Sequence, residues 1–195
     1  MAAREGMLTL IETVRGLSDA GLDDWTIVNS GGTVTYWDDD EVQRVLDRNR
    51  FYADREPLEA IRSYSGGTVV YTEYRAKVSD IESGTAVFKI ENSAGSALAP
   101  DDYTFDYAGG VATFDTNQAG TAYYWTGRHY DINAAAADIW RFKAANVAKL
   151  FNFSTDGHKI ERAQLRKTCL EMSDYFRGMS SGGLSNAKIV RDDTP

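Results

Sequence analysis

Few residues in this chain are of the types and spacings that do chemistry. Asp38, Asp39, Asp40 and Glu41 form one acidic run. Such a run suits either a cation or the start of a helix. A calcium loop needs ligands at alternating positions and a glycine at its turn, and this run offers neither. Val42, Val45 and Leu46 follow at helical spacing, with Arg44, Arg48 and Arg50 toward the far end. Carboxylates before a helix and arginines late in it complement the helix dipole. The run is therefore read as a cap and a solvated face. His129 and His158 flank the main helix, and a helix of roughly 30 Å keeps them too far apart to share a metal or a proton. Cys169 lies in an apolar stripe with Leu165 and Met172 and reads as a buried thiol, not a nucleophile. The pairs Gly31-Gly32, Gly66-Gly67, Gly109-Gly110 and Gly182-Gly183 lack a following Lys-Ser/Thr and read as turns, not phosphate cradles. No catalytic, metal-binding or cofactor-binding residue is assigned, no cofactor is expected, and no enzyme activity is expected.

The composition narrows the classes further. At 195 residues the chain is one domain, or a domain with a sizeable insert. With 43% hydrophobic residues and 3 prolines it is a folded chain. A net charge of −8 argues against a reader of nucleic acid that relies on a basic surface, and against attachment to an anionic membrane. One cysteine excludes an internal disulfide framework. The acidity is uneven: residues 1–60 carry 13 acids against 6 bases, whereas residues 131–181 carry 8 bases against 6 acids. Segments so different in charge are expected to do different jobs. No stretch of 18 apolar residues is present to span a membrane. The start, Met1-Ala2-Ala3-Arg4-Glu5, lacks the long apolar core of a secretory signal, so synthesis in the cytosol is expected.

The periodicity predicts the elements that must position these residues. Residues 5–17 predict a short amphipathic helix through Met7, Leu10, Ile11, Val14 and Leu17. Residues 25–37 look extended around the turn Asn29-Ser30-Gly31-Gly32, as a small hairpin or an irregular loop. After the helix opened by Asp38, Pro57 is expected to start a short helical turn containing Leu58 and Ile61. From Gly66 to about Arg128 the period switches to two. Strands are predicted at 68–75, 86–90, 103–107, 111–114 and 121–125, with Ala108-Gly109-Gly110 as a hairpin signal. The strongest helix starts at Asp131, contains four successive alanines and carries Ile139, Trp140, Val147, Leu150 and Phe151 on its apolar face. Asn152 to Gly157 predict a turn. A second helix over 159–177 carries Leu165, Cys169, Met172 and Phe176 on one face, making an antiparallel helical hairpin.

The expected class is α+β: a small helical bundle of N-terminal helices and a C-terminal antiparallel hairpin, with an inserted antiparallel β-rich domain. The divisions are 1–65 for the N-terminal helical part, 66–128 for the β-rich insert, 129–178 for the helical hairpin and 179–195 for a flexible tail.

Set in this order, the pieces resemble the head–tail connector proteins of tailed bacteriophages, also called adaptor, head-completion or neck proteins. The resemblance is carried by Tyr36 to Arg50, by Tyr103 to Phe114, and by Tyr130 through Gly157 into the last helix. It implies a structural virion protein at the head–tail junction, made in the host cytoplasm. It also implies a ring of twelve copies beneath the portal protein. Such a ring would contact the next tail or neck protein and pass double-stranded DNA without specific binding. A C-terminal segment would dock on the portal, and Leu184, Lys188, Ile189, Val190 and Arg191 fit that role. Asp38, Asp39, Asp40 and Glu41 are then expected near a subunit interface or the channel, where acids let phosphates slide. The alternative is a binding module of a tail or baseplate, whose β insert recognises a glycan or a protein through tyrosine-rich strands. Deletion of residues 184–195 is expected to weaken attachment to portal protein while the fold survives. Co-sedimentation with portal, paired with circular dichroism, checks this.

Overall fold

The computed structural model describes residues 3–21, 25–29, 32–147, 153–155, 158–160 and 162–180, with side chains for 3–21, 37–147 and 163–180. The fold is α+β, as the periodicity predicts, and the chain enters it through helix α1 (Leu8–Ser18). Leu10, Ile11 and Val14 are buried on one face of α1, and Asp19 ends it in the left-handed region at φ 49°. Strands β1 (Trp25–Asn29) and β2 (Gly32–Tyr36) pair antiparallel, so of the two forms open for this stretch the hairpin is the one adopted. Helix α2 (Asp39–Arg48) follows, burying Val42, Val45 and Leu46.

The next stretch departs from expectation. Residues 50–65 hold no helical turn; they form β3 (Arg50–Pro57) and β4 (Glu59–Ser65). The physical reason is pairing. β3 runs antiparallel along β9 (Tyr123–Tyr130), from Arg50 opposite Tyr130 to Pro57 opposite Tyr124. It is the edge strand of its sheet, which is where a sheet tolerates proline. The N-terminal helical part therefore stops at Arg48 instead of 65, and the β-rich part runs from Arg50 to Tyr130.

That part contains two antiparallel sheets. One has the order β3-β9-β6, where β6 is Lys89–Asn92, a few residues later than the strand expected at 86–90. The other has the order β4-β5-β8-β7, with β5 Thr68–Arg75, β7 Thr104–Asp106 and β8 Val111–Thr113. The turn at Ala108-Gly109-Gly110 joins β7 to β8. Gly110 sits at φ 67°, and a Cβ there would stand 2.3 Å from the Val78 carbonyl, so only glycine fits. Both sheets line one core that includes Leu58, Tyr74, Phe88, Ile90, Phe105, Phe114, Tyr123 and Trp125. Tyr74 meets Phe114 and Tyr123 edge-on at 5.4 and 5.1 Å, the arrangement favoured by ring quadrupoles.

Helix α3 (Ile132–Val147) returns the chain to the helical part. Ala134, Ala135, Ala136 and Ala137 are all buried, and their small side chains let α1 and α4 (Arg162–Met179) come close. A plain turn was expected between α3 and α4. Instead a short ribbon of β10 (Phe153–Thr155) and β11 (His158–Ile160) lies there, and α4 starts at Arg162 rather than 159. Along α3 and α4, Ile139, Val147, Cys169 and Phe176 are buried, as expected of core. Trp140 and Met172 are half-buried, packing beside Ala136, Ala137 and Phe176. Leu165 departs from its assignment to the core: it is 42% exposed. The contacts of α4 explain this. Among the described residues they begin at buried Cys169 and continue where Ser173 Oγ donates to the Ala137 carbonyl at 2.9 Å, Phe176 packs on the alanines and Arg177 pairs with Asp138 at 2.5 Å. Residues 163–168 are exposed throughout. Leu150, Phe151 and the whole tail assignment (Leu184, Lys188, Ile189, Val190 and Arg191) lie outside the described residues.

The helical and β-rich parts are joined by a buried charge cluster. Glu82, in the loop between β5 and β6, has a side chain with 0% exposure. Arg4 Nε donates to it at 2.9 Å and Tyr130 Oη donates at 2.5 Å, while Arg128 stands 3.6 Å away. Arg4 also holds Asp47 of α2 through two nitrogens, at 2.9 and 3.2 Å. Gly6 lets the N-terminal segment reach this loop: a Cβ there would lie 1.9 Å from the Ser83 carbonyl oxygen. Burial pushes the Tyr130 phenol well above its ordinary value, and the hydrogen bond to Glu82 adds to the shift, with Arg4 opposing it. The folded value is thus above the unfolded one of about 10, so the phenol stabilises the fold below that pH and loses the effect as pH rises. Unfolding free energy is expected to fall from about pH 10 upward. Tyr130→Phe is expected to fall less steeply over the same range. At neutral pH, Glu82→Ala is expected to cost about 2 kcal/mol, because the buried Tyr130 hydroxyl loses its acceptor and Arg4 keeps only Asp47. Urea titrations across pH check all three.

Candidate functional site

The acidic run takes its positions from α2. Asp38 is the N-cap, and its carboxylate accepts the Glu41 N–H at 2.8 Å. Glu41 reaches back to accept the Trp37 N–H at 2.5 Å. Asp39 pairs with Arg15 at 2.7 Å, tying the start of α2 to the end of α1. Asp40 pairs with Arg44 one turn later. Each of the four carboxylates thus has a partner within the subunit, as the capping reading requires. The order of charges follows the dipoles: Arg15 stands at the negative end of α1, also donating to the Ala20 carbonyl at 2.9 Å, and the acids stand at the positive end of α2.

Beside this cap lies a groove between α2 and α3, about 250 Å³ in volume. Its floor is Trp37, Val45 and Phe142; Arg44, Arg48 and Glu41 stand around it. Arg48 lies over the Phe142 ring at 5.7 Å and has no carboxylate partner among the described residues. Phe142 is 41% exposed. Trp37 adopts φ 70°, unusual for a bulky residue, and its buried indole N–H has no acceptor.

A second cavity, about 240 Å³, lies where β9 meets α3, near the end of α4, and gathers Lys77, Ser79, Asp80, His129 and Asp131. Burial lowers the His129 imidazole, and it raises the Asp80 carboxyl, with Ser79 donating to that carboxylate at 2.7 Å. Structural duties account for much of this group. Asp131 caps α3 by accepting the Ala134 N–H at 2.8 Å, and it also accepts Ser180 Oγ at 2.8 Å. His129 stacks on Phe51 at 5.2 Å. Among the described residues no group of three or more His, Cys, Asp or Glu is placed to hold a metal ion. Cys169 is buried, and desolvation raises its thiol above the ordinary range, which makes it a poor nucleophile.

The tyrosine-rich strands place Tyr74, Phe88, Phe105, Phe114, Tyr123 and Trp125 inside, so these rings are core and not a sugar-stacking platform. The β-rich part exposes Phe51 and Tyr52 on β3, at 43% and 67%, and the end of the β4–β5 hairpin, where residues 62–68 are open to solvent. Tyr64 there is 66% exposed, with Arg62 over its ring at 5.1 Å.

Pairing in sequence identified the acidic run but not the groove, whose walls come from residues about a hundred positions apart. The nearest signal was Arg44 and Arg48, one helical turn apart on an exposed face. The Arg4, Glu82, Arg128 and Tyr130 cluster had no signal, since its members share neither a motif nor a period. No helix among the described residues is long and apolar enough to cross a membrane. No protein-family model matches the chain, and no curated protein matches it. Asp38→Ala is expected to cost about 1 kcal/mol through loss of the α2 cap, read as a lower thermal midpoint.

Proposed function

We propose that this chain is a structural subunit of a phage head–tail connector, forming an oligomeric ring, of twelve copies as the family resemblance implies, between portal and tail. The observation that carries the proposal is the exposed start of α4, residues 163–168. Leu165 continues the stripe of Cys169, Met172 and Phe176, yet it is 42% exposed, in a run that is exposed from 163 to 168. Tyr175 and Met179 add apolar surface at 58% and 52% exposure. A monomer gains nothing by projecting apolar side chains into water, whereas a ring subunit needs two different surfaces for its two neighbours. The acidic chain suits a conduit that must release DNA, because repulsion of phosphates prevents tight binding. The acids of α2 contribute to that field at long range, since their short-range partners are internal. In this reading the tail beyond residue 180 makes the portal contact, no reaction is catalysed, and the assembled protein resides in the virion.

A second reading, recognition of a protein by the β-rich part, draws on the projecting β4–β5 hairpin with Tyr64 at its tip. Electron microscopy of the chain mixed with portal protein decides between the two. A closed ring seated on the portal is expected, and Leu165→Glu is expected to abolish it while the monomer keeps its thermal midpoint. A monomer that ignores portal overturns the connector reading. A hairpin tip bound to a tail protein, with no ring, favours the second.

A further inference from the structure

β3 is an edge strand, and its two halves differ. The second half is closed to further pairing: the register shifts between Ala53 and Glu56, Arg55 stands at φ 51°, and Pro57 ends the strand. Bulges and prolines are how a sheet keeps its edges from pairing with other segments. The first half, Arg50 to Ala53, has neither, and it carries Phe51 and Tyr52 at 43% and 67% exposure. The Asp131 N–H donates to the Asn49 carbonyl at 3.0 Å, whereas the Tyr130 N–H donates to Asp80 on the other side of β9. Main-chain groups alternate in direction along a strand, so those of Phe51 and Ala53 meet β9 and those of Arg50 and Tyr52 point outward. A regular, aromatic stretch of free edge is a template for one more short strand.

The chain supplies such a strand close by. The Ser180 hydroxyl donates to Asp131 at 2.8 Å, and Asp131 is bonded to Asn49, where β3 begins. The segment beyond Ser180 therefore leaves the fold at the open end of this edge. From Ser180 to Lys188 the chain reaches up to about 26 Å, and Arg50 to Asp54 covers only about 13 Å. Lys188-Ile189-Val190-Arg191-Asp192 can thus pass Asp54 and return antiparallel. With Val190 opposite Tyr52, Lys188 falls opposite Asp54 and Asp192 opposite Arg50, with Ile189 at Ala53 and Arg191 at the Phe51 ring. Asp54 has no ion-pair partner among the described residues, and Arg50 has Asp47 at 3.6 Å. Opposite charges then meet at both ends and β-branched residues fill the middle, the favourable cross-strand pairs. A parallel strand centred on the same pair sets Lys188 against Arg50 and Asp192 against Asp54, and like charges at both ends disfavour it.

We propose that residues 188–192 add to the free edge of β3 in their own subunit, as a fourth, antiparallel strand of the β3-β9-β6 sheet. The added strand satisfies the outward main-chain groups of Arg50 and Tyr52 and covers the exposed aromatics. Five residues alone bind weakly, but the tether makes the pairing intramolecular and raises the effective concentration of the strand. The contact does not depend on the connector reading. Where that reading holds, these are also the residues that dock on the portal, so β3 stores them and portal must draw them off.

Amide hydrogen exchange, read residue by residue by NMR on the full chain and on the chain lacking residues 184–195, tests this. The Tyr52 N–H faces the added strand and the Phe51 N–H faces β9, so the first reports the contact and the second the fold. In the full chain the Tyr52 amide is expected to exchange about tenfold more slowly than in the truncated chain, with Phe51 protected in both. Val190→Pro removes the N–H that meets β3 and is expected to release Tyr52 as fully as truncation does, whereas Val190→Ala keeps the protection. Equal Tyr52 exchange in the full and truncated chains overturns the proposal, and so does protection that survives Val190→Pro. Protection that rises with protein concentration also overturns it, because a second copy is then the donor. None of these readings uses portal protein. Absent protection leaves the connector reading standing, and a protected Tyr52 in a monomer that ignores portal upholds the contact while overturning the connector reading.

Discussion

The buried carboxylate of Glu82 is the constraint around which the two halves of the molecule are arranged. Removing a carboxylate from water costs several kcal/mol, and the fold accepts that cost only because three groups converge on it. Arg4 comes from the N-terminal segment, Tyr130 from the end of β9, and Arg128 from the same strand. Because Arg4 also holds Asp47, the cluster fixes α2 relative to the loop between β5 and β6. Tyr130 belongs to the apolar core of the helical part, so one side chain is packed among helices and hydrogen-bonded to the β-rich part. The cluster thus ties the helical part to the β-rich part through charge and hydrogen bonds.

The helical part is built on close approach. Four consecutive alanines remove bulk from α3, which allows a backbone carbonyl, Ala137 O, to accept a hydroxyl from α4. Residues 163–168 at the start of α4 are exposed, and the buried positions of the helix among the described residues begin at Cys169. The same helix therefore contributes core at Cys169 and Phe176 and free surface at Leu165 and Leu170.

Charge is organised on two scales. At short range, the acids of α2 are neutralised by a cap, a backbone donor and two arginines, so the most conspicuous acidic run of the chain does structural work. At long range the excess of −8 persists, since local pairing does not change the total. Many other charges, among them Glu12, Glu59, Glu73 and Asp115, are exposed with no ion-pair partner among the described residues, so the acidity is carried mostly by solvated surface.

Much of this was already legible in one dimension. The class, the α2 cap, the hairpin at Gly109-Gly110 and the buried Cys169 all follow from period, turn chemistry and dipole, which act over a few residues. Residues 50–65 were misread because Pro57 carries a helix-start signal locally, whereas pairing with β9, more than sixty residues away, decides the outcome. Leu165 was misread because helical phase says which side of α4 it is on, not whether anything covers that side. The groove and the Glu82 cluster were invisible for the same reason: their members are neighbours only after the chain has folded back. By itself the sequence determined which elements form and which faces are apolar. The tertiary structure alone decided which of those faces are covered, because burial depends on contacts between segments that no local rule relates.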